Sequence, residues 1–275
     1  MTQQRYFVDY HVHETYSSDA RDSTVESYIK VAEEIGLKEV AFTTHFVITG
    51  YDKFFGIQEH QISDYVENIK KLDETTDVKL LVSLEVDYFP DEEKRLGKIL
   101  DEYCFDYVLG STHYPNGVDI GSIKQAPGYF AGRSLGEACD EFYAFTKMAV
   151  ESGLFDVVAH PDYWRKFLHL VRDDPVELAD YGTVVYDFLD ALSSHDVGIE
   201  VNTSGRRHKH GIQYPIKEFL YAAHASGVDS ITIGSDSHVP DTLGYWLHEA
   251  VDLVKGVGFK GICGFRDRKR TLYPI

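Results

Sequence analysis

The sequence predicts a seven-stranded β/α barrel, a fold of the α/β class. Three observations lead to this prediction. Seven short apolar runs rich in β-branched residues are spread along a chain of 275 residues. Stretches with a helical hydrophobic period separate these runs, an alternation typical of a parallel sheet covered by helices. Each run also ends in polar residues able to do chemistry, and barrel enzymes carry their catalytic groups at such strand ends.

The predicted strands are nearly continuous in apolar character, which indicates burial on both faces of the sheet. A doubly wound open sheet is the structural alternative, but it would gather ligands at one switch point rather than at every strand end. No linker or low-complexity segment interrupts the chain, so we expect a single domain over residues 1–275. The strand runs, in order, are YFVDYHVH, EVAFTTH, LLVSLEVD, DYVLGSTH, FDVVAH, GIEVNTSGR and SITIGSDSH.

Helices are predicted between the strands from the spacing of apolar residues. The first helix carries a capping-box pattern, Ser23 with Glu26, and a stop signal at Gly36. The later helical segments are SDYVENIKKL, DEEKRLGKILDEY, GEACDEFYAFTKMAVESG, TVVYDFLDALSSH, PIKEFLYAAHASG and LGYWLHEAVDLVKGVG.

The charge of the chain argues against a nucleic-acid partner. It has 27 Lys and Arg against 45 Asp and Glu, a formal net charge of −18. Nucleic-acid backbones are bound mainly through clustered Lys and Arg, which this balance does not favour. A small anionic substrate fits the chain if metals or a few arginines offset the charge locally.

Cysteine usage and the N-terminus predict a cytoplasmic location. Cys104, Cys139 and Cys263 are far apart and predict buried free thiols in a reducing compartment. The first residues lead almost directly into a strand, without the basic and then apolar segments of a signal sequence. No apolar run approaches the roughly 18 residues of a membrane span, so no membrane contact is expected. The oligomeric state is left open.

Histidines and carboxylates collect at the predicted strand ends and predict a metal centre. Residues i and i+2 of a strand point to one face, so His11 and His13 project from the same side. One such pair is commonly a solvated surface feature, whereas six histidines converging on one barrel mouth are hard to explain without metal. Mixed His and carboxylate shells suit Zn²⁺, Mn²⁺ or Fe. The collected set is Asp9, His11, His13, Asp19, His45, Glu85, His113, His160, Asp236 and His238.

At these positions the chain resembles the PHP (polymerase and histidinol phosphatase) superfamily. The DxHxH start, TTH, the strand-end Glu, GSTH, AHPD and GSDSH are similar to its motifs, in the same order and over nearly the whole chain. The resemblance implies a distorted seven-stranded barrel. Within the superfamily, VLGSTHYPNG, ESGLFDVVAHPDYWRKF and EVNTSGRR are similar to the stand-alone histidinol-phosphate phosphatases of histidine biosynthesis. That similarity implies hydrolysis of L-histidinol phosphate by a metal-activated hydroxide.

The number of ligands exceeds one tetrahedral site and predicts two or three divalent transition-metal ions, with Glu85 bridging a pair. The resemblance implies a ligand set for each ion: His11, His13, Glu85 and Asp236; Glu85, His113 and His160; Asp19, His45 and His238. Asp9 is expected to orient an imidazole through its free N–H.

A phosphate monoester arriving at an acidic protein needs cationic partners. Arg206 and Arg207 in NTSGRR, and Arg165 in DYWRKF, follow strand ends, and a guanidinium can bind phosphate oxygens bidentately. We expect Arg207 or Arg165 to contact the phosphate, ahead of Arg206. Two cations about 3.5–4 Å apart can also clamp the attacking and leaving oxygens. The proton donor is left open among Asp236, His238 and a metal-bound water.

Three alternatives stay open at this point. The first is a PHP phosphoesterase for another small ester, such as a nucleoside monophosphate or phosphotyrosine, or for nucleic-acid ends. The second is a metal-dependent amidohydrolase, whose barrels also begin with HxH, and the third is a non-catalytic metal-binding module. Metal analysis with a panel of phosphate esters separates them.

Overall fold

Seven parallel strands form the central sheet of the computed structural model, which describes residues 7–49 and 54–275. The strands are β1 (Val8–Val12), β2 (Glu39–Phe46), β3 (Lys79–Asp87), β4 (Tyr107–Ser111), β5 (Val157–Val158), β6 (Gly198–Asn202) and β7 (Ile231–Gly234). They lie side by side in sequence order. Val12 pairs with Ser237, just beyond β7, so the sheet closes on itself. The predicted barrel is confirmed.

Helices connect the strands where the hydrophobic period predicts them. They are α1 (Val25–Ile35), α2 (Ile62–Asp73), α3 (Glu93–Glu102), α4 (Ala126–Phe130), α5 (Leu135–Glu151), α6 (Val184–Ser194), α7 (Lys217–Ala225) and α8 (Leu247–Val257). The short helix α4 is not predicted by the sequence pattern, because five residues are too few to show a period.

Helix α1 ends as predicted at Gly36, which adopts a left-handed conformation with φ 79°. Its beginning differs from the prediction. Thr24 is the N-cap, and its hydroxyl accepts the Ser27 N–H at 3.2 Å. The Ser23 hydroxyl donates instead to the carbonyl of His238 at 2.7 Å. The predicted box of Ser23 and Glu26 is therefore wrong, because the Ser23 side chain ties the start of α1 to the loop after β7.

A hairpin that the sequence does not predict closes the other end of the barrel. Strands β8 (Gly261–Arg266) and β9 (Lys269–Pro274) pair antiparallel. Arg266 reaches Asp106 at 3.3 Å and Arg268 reaches Asp156 at 3.0 Å, and both acidic residues precede the strands β4 and β5. The hairpin thus covers the amino ends of the strands and leaves their carboxyl ends open.

The cysteines are free thiols as predicted, but only two of the three are buried. Cys139 and Cys263 lie in the core, while Cys104 is exposed after α3, so the prediction of burial is wrong for Cys104. The interpretation of the N-terminus concerns residues 1–6, which lie outside the described residues. In the described parts of the chain, every helix is too short or too polar to cross a membrane.

Candidate metal centre

The carboxyl ends of the strands bring the nine predicted ligands together at one end of the barrel. Glu85, near the end of β3, is their centre, and its carboxylate is 1% exposed. Its oxygens lie close to five imidazole nitrogens: His160 Nε2 at 2.8 Å, His45 Nδ1 at 2.9 Å, His11 Nε2 at 3.4 Å, and His13 Nε2 and His113 Nε2 at 3.5 Å.

Electrostatics keep this central carboxylate ionised. Burial by itself would raise the pKa of Glu85, but His11, His113 and His45 hold that pKa well below its usual value. A buried anion ringed by imidazoles is a strong site for a divalent cation, since a cation replaces the protons that otherwise balance the charge.

Asp236 supplies a second buried carboxylate beside Glu85. Its Oδ1 lies 3.4 Å from His13 Nε2 and 3.7 Å from His11 Nε2. Its Oδ2 accepts hydrogen bonds from Ser204 Oγ at 2.9 Å and Asn202 Nδ2 at 3.2 Å. Its φ is 53°, a left-handed conformation that is costly for a residue with a side chain. Such strain concentrates at functional sites, where surrounding contacts enforce it.

The rim of the cluster is formed by Asp19 and His238. Asp19 Oδ2 lies 3.1 Å from His238 Nε2, and Asp19 Oδ1 lies 4.0 Å from His45 Nε2. The His238 ring stacks on that of His13 at 4.1 Å between centroids. Although burial opposes it, the adjacent His238 imidazole lowers the pKa of Asp19. The structure therefore places Asp19, from the loop after β1, within reach of the other ligands.

The donors fit metal ions as sets of three. Within each set, one ligand atom from each residue lies within 4.8 Å of the others: His13, His45 and His238; His11, His13 and Asp236; His11, Glu85 and His160; His45, Glu85 and His113. The sets share members, as ligands of neighbouring ions do. His45 belongs to one set that contains Glu85 and to another that contains His238 at the rim. The donor types are those that Zn²⁺, Mn²⁺ and Fe accept.

Three residues that the sequence analysis missed orient the imidazoles. Glu200 lies 2.7 Å from His11 Nδ1, Ser17 Oγ lies 3.1 Å from His13 Nδ1, and Asp87 lies 3.1 Å from His113 Nδ1. Strand alternation was the available signal, since Glu200 precedes Asn202 by two residues and Asp87 follows Glu85 by two. Burial would lower the pKa of His113, but Asp87 and Glu85 raise it to about 9.

Asp9 does not have the role expected of it. Its carboxylate accepts backbone N–H groups from Ser235 at 2.8 Å, Gly244 at 2.9 Å and His11 at 3.3 Å. These bonds join β1 to the segment after β7. The expectation that Asp9 orients an imidazole is wrong, because its oxygens hold the backbone at the barrel seam.

Arg165 is engaged away from the cluster. It is 4% exposed, donates to both carboxylate oxygens of Asp162 at 2.7 and 3.1 Å, and donates to the Gln213 carbonyl at 2.6 Å. It lines a separate cavity of about 350 Å³. The structure therefore does not bring the Arg165 guanidinium to the metal ligands, and the phosphate contact expected of it has no support in this geometry.

Arg207 lies beside the cluster and contacts its backbone. Its two terminal nitrogens donate to the carbonyls of Ser235 and Asp236, each at 2.8 Å. Arg207 thus fixes the strained backbone of a predicted ligand. Arg206 donates to Gln213 at 2.7 Å and stacks on Trp246 at 4.0 Å.

A cavity of about 450 Å³ opens over the cluster, which is the size of a small-molecule site. Among the described residues that line it, Lys166 is the only lysine or arginine. Its ammonium donates to Tyr163 Oη at 2.7 Å, and burial lowers its pKa. Asp119 and Phe167 line the part of the cavity formed by the loops after β4 and β5. Lys166 is not predicted from the sequence, where it stands beside Arg165 in DYWRKF.

Several known proteins are similar to this chain. A protein from Deinococcus radiodurans described as "Probable histidinol-phosphatase" is 30% identical over 95% of this chain and 97% of its own length. A "Histidinol-phosphatase" from Lactococcus lactis is 25% identical over 95% of both chains. The crystal structure of a Lactococcus lactis histidinol phosphate phosphatase with zinc, L-histidinol and phosphate has a TM-score of 0.84 at 22% identity, covering 98% of this chain and 100% of that one. The PHP domain model matches residues 9–204. The chain belongs to the PHP domain family.

Proposed function

We propose that this protein is a metal-dependent phosphomonoesterase that hydrolyses L-histidinol phosphate to L-histidinol and phosphate. The buried cluster of six histidines around Glu85 and Asp236, at the base of an open cavity, carries the proposal. The relatives that match over nearly the full length are described as histidinol-phosphatases. Two or three divalent transition-metal ions, such as Zn, Mn or Fe, complete the site.

The proposed ligands are the residues whose donor atoms meet in the cluster: His11, His13, Asp19, His45, Glu85, His113, His160, Asp236 and His238. Bound divalent ions supply Lewis acidity, which polarises phosphoryl oxygens and lowers the pKa of water. Glu85 contributes a carboxylate with donors on both oxygens, which suits a bridge between two ions.

Lys166 is the proposed protein contact of the phosphate. Among the described lining residues of the cavity it is the only lysine or arginine, and Tyr163 fixes its ammonium. Arg207 assists by holding the carbonyls of Ser235 and Asp236 beside the cluster.

Asp236 and His238 are the proposed carriers of the proton for the leaving oxygen. Asp236 Oδ1 lies 3.5 Å from His238 Nδ1, and both residues line the cavity. His238 is 26% exposed, so its imidazole can exchange protons with water at the rim.

Asp119 is the proposed partner of the substrate's ammonium group. Its Oδ1 accepts the Gly121 N–H at 2.8 Å, which fixes the carboxylate in the loop after β4. Tyr114 and Phe167 line the same part of the cavity and are the aromatic residues proposed to contact the substrate's imidazole.

The alternative within the same class is a phosphoesterase for another small ester. Steady-state kinetics on several esters, with metal-loaded and with chelator-stripped protein, distinguish it from the proposed function. The net charge of −18 favours a substrate with cationic groups over a nucleotide.

We also propose a cytoplasmic location, which the three free cysteines support.

A further inference from the structure

Glu200 joins two predicted metal ligands from opposite sides of the barrel. It lies in β6 and is 1% exposed. Its Oε1 lies 2.7 Å from His11 Nδ1, and its Oε2 accepts the backbone N–H of His160 at 2.9 Å. Asn202 Nδ2 also donates to Oε2, at 3.2 Å. His11 belongs to β1 and His160 follows β5, so one carboxylate fixes both.

The contact with Glu200 determines which nitrogen of His11 faces the cluster. The Nε2 of that ring points to Glu85 at 3.4 Å and Asp236 at 3.7 Å, and the Nδ1 points to Glu200. An ionised carboxylate holds the proton on Nδ1 and leaves the Nε2 lone pair free for a metal ion.

The hydrogen bond between Glu200 and the backbone N–H of His160 positions this second ligand. His160 has a φ of 24°, a conformation that a residue with a side chain rarely adopts. The hydrogen bond from its N–H to Glu200 helps to hold this strained backbone and directs the imidazole toward Glu85, 2.8 Å away.

Gly234 in β7 leaves room for the contact between Glu200 and His11. A Cβ at this position would lie 2.4 Å from Glu200 Oε1 and 2.4 Å from the Cβ of His11. Any side chain would therefore push the carboxylate away from the imidazole. The glycine and the buried glutamate are two independent features of neighbouring strands that serve the same contact.

A buried carboxylate is costly unless it is hydrogen-bonded and its charge is balanced. Glu200 has the three donors, and cations held at the far side of the His11 imidazole would balance its charge.

We infer that Glu200 is a positioning residue for the metal centre, which fixes the tautomer of His11 and the backbone of His160 and so raises metal affinity. This inference rests on the proposed metal-dependent function.

The test compares Glu200→Gln with Glu39→Gln in the full chain. Glu39 is also a buried carboxylate, hydrogen-bonded to Tyr10 Oη at 2.5 Å, but it lies at the amino end of β2, away from the cluster. Zn²⁺ dissociation constants are measured by competition with a chelator, and thermal unfolding is followed with and without Zn²⁺. Residues that orient metal ligands typically contribute 10–100-fold in affinity.

We expect Glu200→Gln to weaken the binding of at least one Zn²⁺ ion by about 10–100-fold, without lowering the Tm of the metal-free protein. Glu39→Gln should leave Zn²⁺ affinity unchanged. Gly234→Ala should weaken Zn²⁺ binding in the same way as Glu200→Gln.

Unchanged Zn²⁺ affinity in Glu200→Gln, or a loss confined to the Tm of the metal-free protein, would overturn the inference and leave Glu200 a structural residue. If the wild-type protein binds no Zn²⁺, Mn²⁺ or Fe, the proposed function itself fails, and that result is distinct from a failure of the Glu200 variant alone.

Discussion

Glu85 and His160, from β3 and from the loop after β5, meet at 2.8 Å between Oε1 and Nε2. The other oxygen of Glu85 lies 2.9 Å from His45 Nδ1, on the opposite side. One carboxylate therefore connects imidazoles that no single strand could bring together, and we expect Glu85 to be the ligand whose substitution damages the metal centre most.

Glu85→Ala should remove at least one metal ion per chain. The change deletes the carboxylate shared by five histidines, so it should lower kcat/KM by about 100-fold or more, beyond the range for residues that only orient ligands. Elemental analysis with steady-state kinetics checks this, and Glu67→Ala on the exposed face of α2 is the control. Full metal content with a near-normal rate would show that Glu85 does not hold the ions.

Lys166→Met should raise KM for the phosphate ester and lower kcat/KM while leaving metal content intact. A charged hydrogen bond contributes about 1.5–3 kcal/mol, which corresponds to roughly ten- to two-hundred-fold in kcat/KM. Lys209→Met, which removes an exposed lysine from a nearby loop, is the matched control. An unchanged kcat/KM in Lys166→Met would assign the phosphate to Arg207 instead.

Arg165→Ala should act on stability rather than on phosphate binding. The change leaves Asp162 buried without its guanidinium partner, which costs about 3–5 kcal/mol of unfolding free energy. Urea denaturation measures the loss, and Arg172→Ala is the control, because its ion pair with Asp180 at 3.4 Å is partly exposed. A stable Arg165→Ala protein with a raised KM would restore the phosphate contact expected from the sequence.

Asp119→Asn should reduce selectivity for the amino group of the substrate. We expect kcat/KM for L-histidinol phosphate to fall by about tenfold, since a charged partner of the ammonium becomes neutral. The imidazolylpropyl phosphate that lacks the amino group should be hydrolysed by Asp119→Asn and wild type alike. Asp190→Asn, an exposed change in α6, controls for net charge. Equal losses on both esters would place the effect of Asp119 at the metal centre or the fold.

The sequence predicts the barrel well because each strand is an apolar run that ends in a polar residue. It does not predict the hairpin of β8 and β9, because the turn is formed by Asp267 and Arg268. Both adopt positive φ, 49° and 59°, where a glycine or asparagine is the usual signal. Local composition therefore gives no indication that the chain reverses there.

The spacing of His11 and His13 predicts their shared direction, because strand alternation is a local property. Local sequence does not determine whether Asp9 or Glu200 contacts the His11 imidazole, since that contact depends on which strand lies across the barrel. The same holds for Arg165 and Lys166, neighbours in a short turn after β5. Only the packing against Asp162 decides that the arginine faces the core and the lysine faces the cavity.

The central claim is tested most directly by the substrate preference of the wild-type protein. Steady-state kinetics at equal metal loading compare L-histidinol phosphate with AMP, glycerol phosphate and phosphotyrosine, before and after a chelator removes the metal. We expect kcat/KM for L-histidinol phosphate to exceed the others by at least about tenfold, the equivalent of about 1.4 kcal/mol in transition-state binding, and activity to vanish with the metal. Equal rates on all four esters, a preference for AMP, or activity that survives removal of the metal would contradict it.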